Sequence, residues 1–537
     1  MHQVLLIDEI LRNIFAQINN VALRPPHLRN FASCARVCKA WKDPALDFLW
    51  ESLGTMDPLL YLIPGVTRVG DAYTIPDTIS PNDICNFLSY AARVREVCQY
   101  SRKFCRIPPA LLSLIIPQPS PDHILLPRLT TARLVLHDSF KRNIFPPTLY
   151  VSPRLRSLTI EISFINRTLA GGASHPGEAL YLYMDAVARI ASGLEFLRIR
   201  GRVCERMTET IATLTGLRTL SLCIGSDISP RTIAAIATFP RLEELRVHLD
   251  GMDADALDEA LPQSGEAGQS LFPALHTLHV RSSPQVAEVL FTRLAPRSGL
   301  RAVRIESDFK PRVVDAWTPA LALLADKAAD TLVDLSIECL TNFCEVPDHA
   351  FPPKLHFTLA TLAPLAKLTR LRKFHLDASV PADLTDADVA TLAAWWPAIE
   401  DLGLWTRPVD AFDYPTYFTR HPRATLASLA VLAARCPNLR NLALALDIAA
   451  LPPRAHPPLA CASQGALERL TVGCARKAGA EGVDPEALAE CIFRAFPALG
   501  RLDFESGGEA SWGDVLEGYF GLQGTRLRVS VEECLEE

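Results

Sequence analysis

The chain has 537 residues, 49% of them hydrophobic and 21% charged, which is enough apolar mass to bury a large core. A formal net charge of −6 excludes a general electrostatic pull toward nucleic acid or membrane surfaces, so a charged partner would have to be met by a local patch. Fourteen cysteines are scattered without C-x-x-C pairs, and Cys223, Cys436 and Cys491 fall within apolar patterns, as reduced core thiols do in the cytoplasm or nucleus.

The opening stretch Met1–Glu9 has no basic leader and meets acids at once, so no secretory signal is expected. No apolar run approaches the ~18 residues of a membrane span. Leu6, Ile10, Leu11, Ile14, Phe15 and Ile18 recur at helical spacing, and Asp8 and Glu9 sit in the first turn, where carboxylates favour the positive helix end. Arg24-Pro25-Pro26 ends this first helix. A second is expected through Leu28, Phe31, Ala32, Ala35 and Cys38, then a turn at Trp41-Lys42-Asp43-Pro44. Asp43 as cap with Pro44 at the first position would open a third helix carrying Leu46, Leu49, Trp50 and Leu53. Three short helices make too small a core to stand alone, so residues 1–53 should lean on a partner or on the rest of the chain.

Residues 54–126 read as a helical junction and N-terminal cap. Its one clear helix is opened by Ser80-Pro81-Asn82-Asp83 and carries Ile84, Phe87, Leu88, Ala91, Val94 and Val97 on one face.

From 127 to 537 a frame P-x-L-x-x-L-x-(L/V/I) keeps returning, as in Pro240–Val247. Apolar residues at the first, fourth and sixth places of the core frame fit a short strand with one buried and one wet face. Twelve good copies occur, among them Leu155/Leu158/Ile160, Leu217/Leu220/Leu222, Leu332/Leu335/Ile337 and Leu439/Leu442/Leu444, with degraded copies at Leu134/Leu136 and Leu527/Val529/Val531. The connections are helical, opened by Ser229-Pro230, Ser283-Pro284 and Asp484-Pro485 and stopped by prolines such as Pro240, Pro273, Pro397, Pro437 and Pro497. Strand and helix in regular succession predict an α/β leucine-rich-repeat solenoid, a parallel sheet inside and helices outside. The array should be irregular. Leading residues lie between 23 (194 to 217) and 40 (399 to 439) apart. The buried Asn or Cys of regular repeats is replaced by Ser163, Asp250, Ser283, Asp308, Ser379 and Asp447 in half the copies, so no asparagine ladder is expected.

Three segments, Leu6-Ile7-Asp8-Glu9-Ile10-Leu11-Arg12-Asn13-Ile14-Phe15, Ala35-Arg36-Val37-Cys38-Lys39-Ala40-Trp41 and Leu49-Trp50, together resemble an F-box. With repeats behind it, the chain resembles the F-box/leucine-rich-repeat proteins, especially the divergent forms of mushroom-forming fungi. It departs from them in having Ile7-Asp8 where an F-box usually carries a proline before the first-helix acid. The resemblance implies a substrate-recognition subunit of an SCF-type (cullin–RING) ubiquitin ligase, cytoplasmic or nuclear, with no cofactor and no catalysis of its own. Its partners would be a Skp-type adaptor, through it a cullin, and a target protein. Adaptor contacts would come from Leu6, Ile10, Ile14, Phe15, Val37, Trp41 and Trp50, some of which must instead form the module's own core. The alternative is a leucine-rich-repeat scaffold or inhibitor whose F-box-like helices merely cap the solenoid.

Catalytic signatures are lacking: no G-x-S-x-G, no H-E-x-x-H, no G-x-G-x-x-G after a strand. Gly177 is followed by Glu178, not by the lysine of a phosphate loop, and His276 and His279 have no third ligand nearby. Two surface features remain. Strand positions between the last two apolars include Arg198, Arg246, His279 and Arg304, joined on the same face by Arg200, His248 and Arg281. They are either simply polar exposed positions or a patch for an acidic or phosphorylated peptide. The insert from Trp405 to Thr425 gathers Phe412, Tyr414, Tyr417 and Phe418, either as a binding lip or to pin itself down; Trp405, Tyr414 and Tyr417 are its candidate contacts.

Overall fold

The computed structural model describes residues 3–21, 27–70, 72–76, 79–99, 107, 109–115, 124–136, 149–162, 176–224, 228–262, 271–295, 298–307, 314–339, 356–378, 382–405, 422–448, 465–473, 484–505 and 513–524. It divides into two compact units, Met1–His248 and Leu249–Glu537.

The first unit begins with three helices, α1 (Asp8–Val21), α2 (His27–Cys34) and α3 (Lys39–Leu49). Asp8 and Glu9 occupy the first turn of α1, and Arg12 Nε donates to Asp8 at 2.7 Å. Leu11, Phe15, Phe31 and Ala45 are buried together, with Trp41, Phe48 and Leu49 packed against them. Phe15 meets the rings of Phe31, Trp41 and Phe48 edge to face, at centroid distances of 5.7, 5.8 and 6.0 Å. The third helix departs from its expected start at Asp43-Pro44. It opens at Lys39 after Cys38, which makes no side-chain cap bond, and Pro44 lies buried inside it. The Trp41 and Lys42 amides both donate to the Cys38 carbonyl at 3.2 Å, closing the first turn ahead of the proline. That early turn brings Trp41 onto the core.

The strands of this unit are β1 (Ser52–Leu53), β2 (Thr67–Val69), β3 (Ala72–Thr74), β4 (Glu96–Gln99), β5 (Thr131–Val135), β6 (Ser157–Glu161), β7 (Phe196–Gly201), β8 (Thr219–Ile224) and β9 (Glu244–His248). β2 and β3 form an antiparallel pair, and the others run parallel in the order β1-β4-β5-β6-β7-β8-β9. The parallel array thus starts within the stretch where the repeat frame is silent: Leu53 pairs with Val97, and Val97 with Ala132. Val97 therefore belongs to a strand, because helix α4 (Pro81–Ala91), capped by the reciprocal Ser80–Asp83 box, ends before it.

The second unit holds β10 (Thr277–Arg281), β11 (Ala302–Ser307), β12 (Asp334–Cys339), β13 (Lys373–Ala378), β14 (Asp401–Gly403), β15 (Asn441–Ala445), β16 (Arg469–Gly473) and β17 (Arg501–Glu505), parallel and in chain order. The architecture is α/β, a long succession of parallel strands flanked by helices, as the repeat frame requires. Its frame leucines are buried in aligned rows: Leu197 pairs with Leu220 and Leu220 with Leu245, as Leu335 does with Phe374. Ser229, Ser283 and Asp484 cap the following helices through their side chains, each with a proline in the first turn.

Among the described residues no side-chain ladder replaces the missing asparagines. Asp250 instead accepts from Arg281 Nε at 3.0 Å and Ser283 is a helix cap. Adjacent repeats are tied by backbone at the strand starts, where one carbonyl takes two amides from the next repeat. The Arg218 and Thr219 amides share the Glu195 carbonyl at 2.8 and 3.0 Å, and those of Arg440 and Asn441 share the Glu400 carbonyl at 2.7 and 3.1 Å. The pattern needs no particular side chain, which explains why the spacing can vary so widely.

Candidate protein-binding surfaces

The N-terminal helices sort the expected adaptor contacts into three groups. Leu6, Ile14 and Val37 are exposed, at 49%, 38% and 51%. Ile10 is half-buried. Phe15 is core, and half-buried Trp41 packs against that core. Trp50 lies over Tyr90 of α4 with ring centroids 4.8 Å apart, which makes it an internal joint of the first unit. The same joint carries Arg93, which pairs with Asp43 at 2.7 Å and with Asp47, while Asp47 also accepts from Arg12 at 2.8 Å. Ile7, Ile18 and Leu28 are exposed as well. Ile10, Ile14 and Ile18, spaced four apart, lie along one stripe of α1, with Ile7 just ahead of it. That spacing was readable; what was missing was knowledge of which apolar residues the core would take.

On the sheet, the polar residues between the buried frame positions form a lattice on the face away from the core. In the first unit Arg198, Ser221 and Arg246 stand side by side on β7, β8 and β9. Arg198 makes no ion pair among the described residues, and its Nε is buried without a hydrogen-bond partner. Arg246 is half-buried.

The second unit corrects the expectation of a basic stripe there. Arg304 lies between Glu306 at 3.2 Å and Glu338 at 2.6 Å, and buried His279 meets Glu306 at 2.6 Å. Glu306, Glu338 and Asp377 stand in register on β11, β12 and β13, two residues beyond the arginine row. Carboxylates on the same or the neighbouring strand therefore neutralise this half of the stripe. His375 is held above its ordinary pKa by the hydrogen bond it donates to Asp401, 3.1 Å away, despite its burial.

Trp405 is not a presented aromatic. It is 2% exposed, and its ring lies where a side chain at Gly473, two strands away, would have to stand: a Cβ there would come within 2.5 Å of the indole. Tyr414 and Tyr417, with Phe412 and Phe418, lie outside the described residues.

Burial pushes the Cys339 thiol up to about 12 and that of Cys436 to about 11, so both are weak nucleophiles at neutral pH. Among the described residues no three His, Cys, Asp or Glu side chains are grouped to hold a metal ion, and no helix is long and apolar enough to cross a membrane.

No family model matches the chain, and no curated protein matches it. Among solved structures it is similar to a chain in the crystal structure of the Rad7 and Elc1 complex in yeast, with 12% sequence identity and a TM-score of 0.32, over 94% of this chain and 90% of that one. So slight a likeness carries no argument about function, and the repeat fold stands on the strand order described above.

Proposed function

We propose that the chain is the non-catalytic substrate-recognition subunit of an SCF-type ubiquitin ligase, binding a Skp-type adaptor, and through it a cullin, with its first three helices. The observation that supports this most is the division of apolar residues in that module. Phe15, Phe31 and Leu11 close a core, while Leu6, Ile7, Ile14, Ile18 and Val37 stay on its surface. Of the exposed residues, Leu6, Ile7, Ile14 and Val37 belong to the segments that resemble an F-box. The polar lattice of the strands would hold the target, with Arg198 and Arg246 receiving an acidic or phosphorylated segment. Such a subunit makes and breaks no bonds; it raises the effective concentration of target lysines near the ubiquitin-charged enzyme.

A second reading is favoured by the contact of Trp50 with Tyr90 and by the Arg93 pairs with Asp43 and Asp47, which fix the helices to the junction ahead of the repeats as part of a cap would be. On that reading the protein is a scaffold or inhibitor with no adaptor. Affinity purification of the full chain separates the two: adaptor and cullin should co-purify and the purified adaptor should bind at micromolar concentration. Absence of binding would leave the capping scaffold.

A further inference from the structure

The residues just before the strands form a column along one edge of the sheet, and their charges alternate. Glu51 and Arg95 come first, 4.0 Å apart; beyond Thr130 the column continues with Arg156 and Glu195 at 3.2 Å, then Arg218 and Glu243 at 2.6 Å. The second unit repeats the device with Arg372 and Glu400 at 2.9 Å and Arg440 and Glu468 at 3.7 Å. At Thr130 the alternation fails. Two cations, Arg95 and Arg156, flank a neutral residue whose hydroxyl is already donated to the Arg95 carbonyl at 3.0 Å.

Two further arginines gather at this gap. Arg128 and Arg154 each stand two residues before the column, and neither guanidinium has an ion-pair or hydrogen-bond partner among the described residues. With Arg95 and Thr131 they line a cavity of about 780 Å³ that also touches α1 and α3. Of the carboxylates on its other walls, Asp47 is engaged by two arginines and Glu51 is weakened as a charge. Asp47 holds both Arg12 and Arg93, and Glu96 accepts from the Cys98 thiol at 3.1 Å. Glu51 is held above the usual carboxylate range, chiefly by burial, with Glu96 and Asp47 adding to it against Arg95.

We propose that this cavity binds a phosphate group, seated where the column lacks its acid and held by the guanidinium groups of Arg95, Arg128 and Arg154 and the Thr131 hydroxyl. Three arginines offer more donors than one carboxylate can accept, and planar guanidinium forks match phosphate oxygens. A second neutral residue between two arginines, Val333 between Arg301 and Arg372, lacks these features. There Arg370 is donated to the Asp330 carbonyl at 2.9 Å and Arg372 to Glu400.

The test is calorimetric titration of the full chain with inorganic phosphate and with a phosphoserine peptide, at constant ionic strength made up with chloride. Both should bind where chloride does not, and tighter binding of one probe identifies whether the natural source is free phosphate or a phosphorylated segment. Arg128→Ala with Arg154→Ala should weaken binding at least about tenfold, since each removes a charge-assisted contact. Thr130→Glu, which places the missing acid in the column, should do the same. Arg301→Ala should leave binding unchanged. Phosphate that binds the arginine double variant as tightly as the parent, or binds neither, overturns the proposal. The exposed arginines keep the test valid should Thr130→Glu fail to fold by circular dichroism.

Discussion

Phe15 and Ile14 are neighbours in sequence with opposite fates in the structure, and substituting each separates folding from partner binding. Phe15 is 1% exposed and touches three aromatic rings, so Phe15→Ala should cost about 3–5 kcal/mol and melt the three-helix module first. Ile14 and Val37 expose 38% and 51% of their surface and are not among the residues packed against the buried cluster, so Ile14→Ala with Val37→Ala should cost far less stability than Phe15→Ala, roughly 1 kcal/mol or less each. If an adaptor buries what they now expose, those fractions of a full burial worth about 1.5–3 kcal/mol per side chain sum to roughly 1.5–2.5 kcal/mol. That corresponds to a loss of about 10- to 70-fold in affinity. The assay pairs titration of a purified Skp-type adaptor with thermal unfolding, and with hydrogen exchange of the α1 amides. Parental adaptor affinity in the Ile14/Val37 variant would refute the surface assignment. A Phe15→Ala chain with unaltered exchange in α1 would refute the core.

Other perturbations test the repeats. Leu245→Asp places an unpaired carboxylate in a buried row and should destabilise the first unit by several kcal/mol, seen as a lowered melting temperature; a parental melt would mean the register is wrong. Arg198→Glu with Arg246→Glu should abolish capture of an acidic target while circular dichroism and adaptor binding stay parental, and undiminished capture leaves these positions merely polar. Gly473→Ala should lower the melting temperature, because its Cβ would fall within 2.5 Å of the Trp405 indole and that buried ring has to move. The His375 pKa is raised, chiefly by its hydrogen bond to Asp401, so the stability this pair adds is full below pH about 6.5 and fades as pH rises past the raised value. The difference in melting temperature between parent and His375→Gln should shrink accordingly on going to alkaline pH; a gap that widens would contradict the pairing.

The fold was legible because each repeat solves the same burial problem with the same three apolar positions, and a pattern repeated twelve times outweighs any one defective copy. Legibility failed where a strand is too short to show its period. β1 has two residues and β4 four, and Val97 follows so closely on α4 that its burial reads as one more turn of helix. Pro44 misled for a related reason. A proline beside an acid is a sound helix-start signal, but here the Trp41 and Lys42 amides had already closed the turn on Cys38, and the aromatic core held the proline inside the helix. Local signals lost to packing in both places.

The candidate target surface was half legible, and the physical reason lies in the geometry of a parallel sheet. Read as one column, Arg198, Arg246, His279 and Arg304 look alike. Strands stand only about 4.8 Å apart, however, so each side chain also faces the columns two residues before and after it on its neighbours. Two residues beyond Arg304 and its counterpart on β12 stand Glu306 and Glu338, which hold its guanidinium; two beyond Arg198 and Ser221 stand Arg200 and Cys223, which do not. The charge of such a face belongs to a two-dimensional lattice, and reading both columns together from the sequence would have separated Arg198 from Arg304. The same rule applied to the strand starts marks two places where arginines stand without an acid between them, Thr130 between Arg95 and Arg156 and Val333 between Arg301 and Arg372, and it takes the structure to show that Arg370 and Arg372 are engaged at the second while Arg128 and Arg154 are not engaged by the described residues at the first.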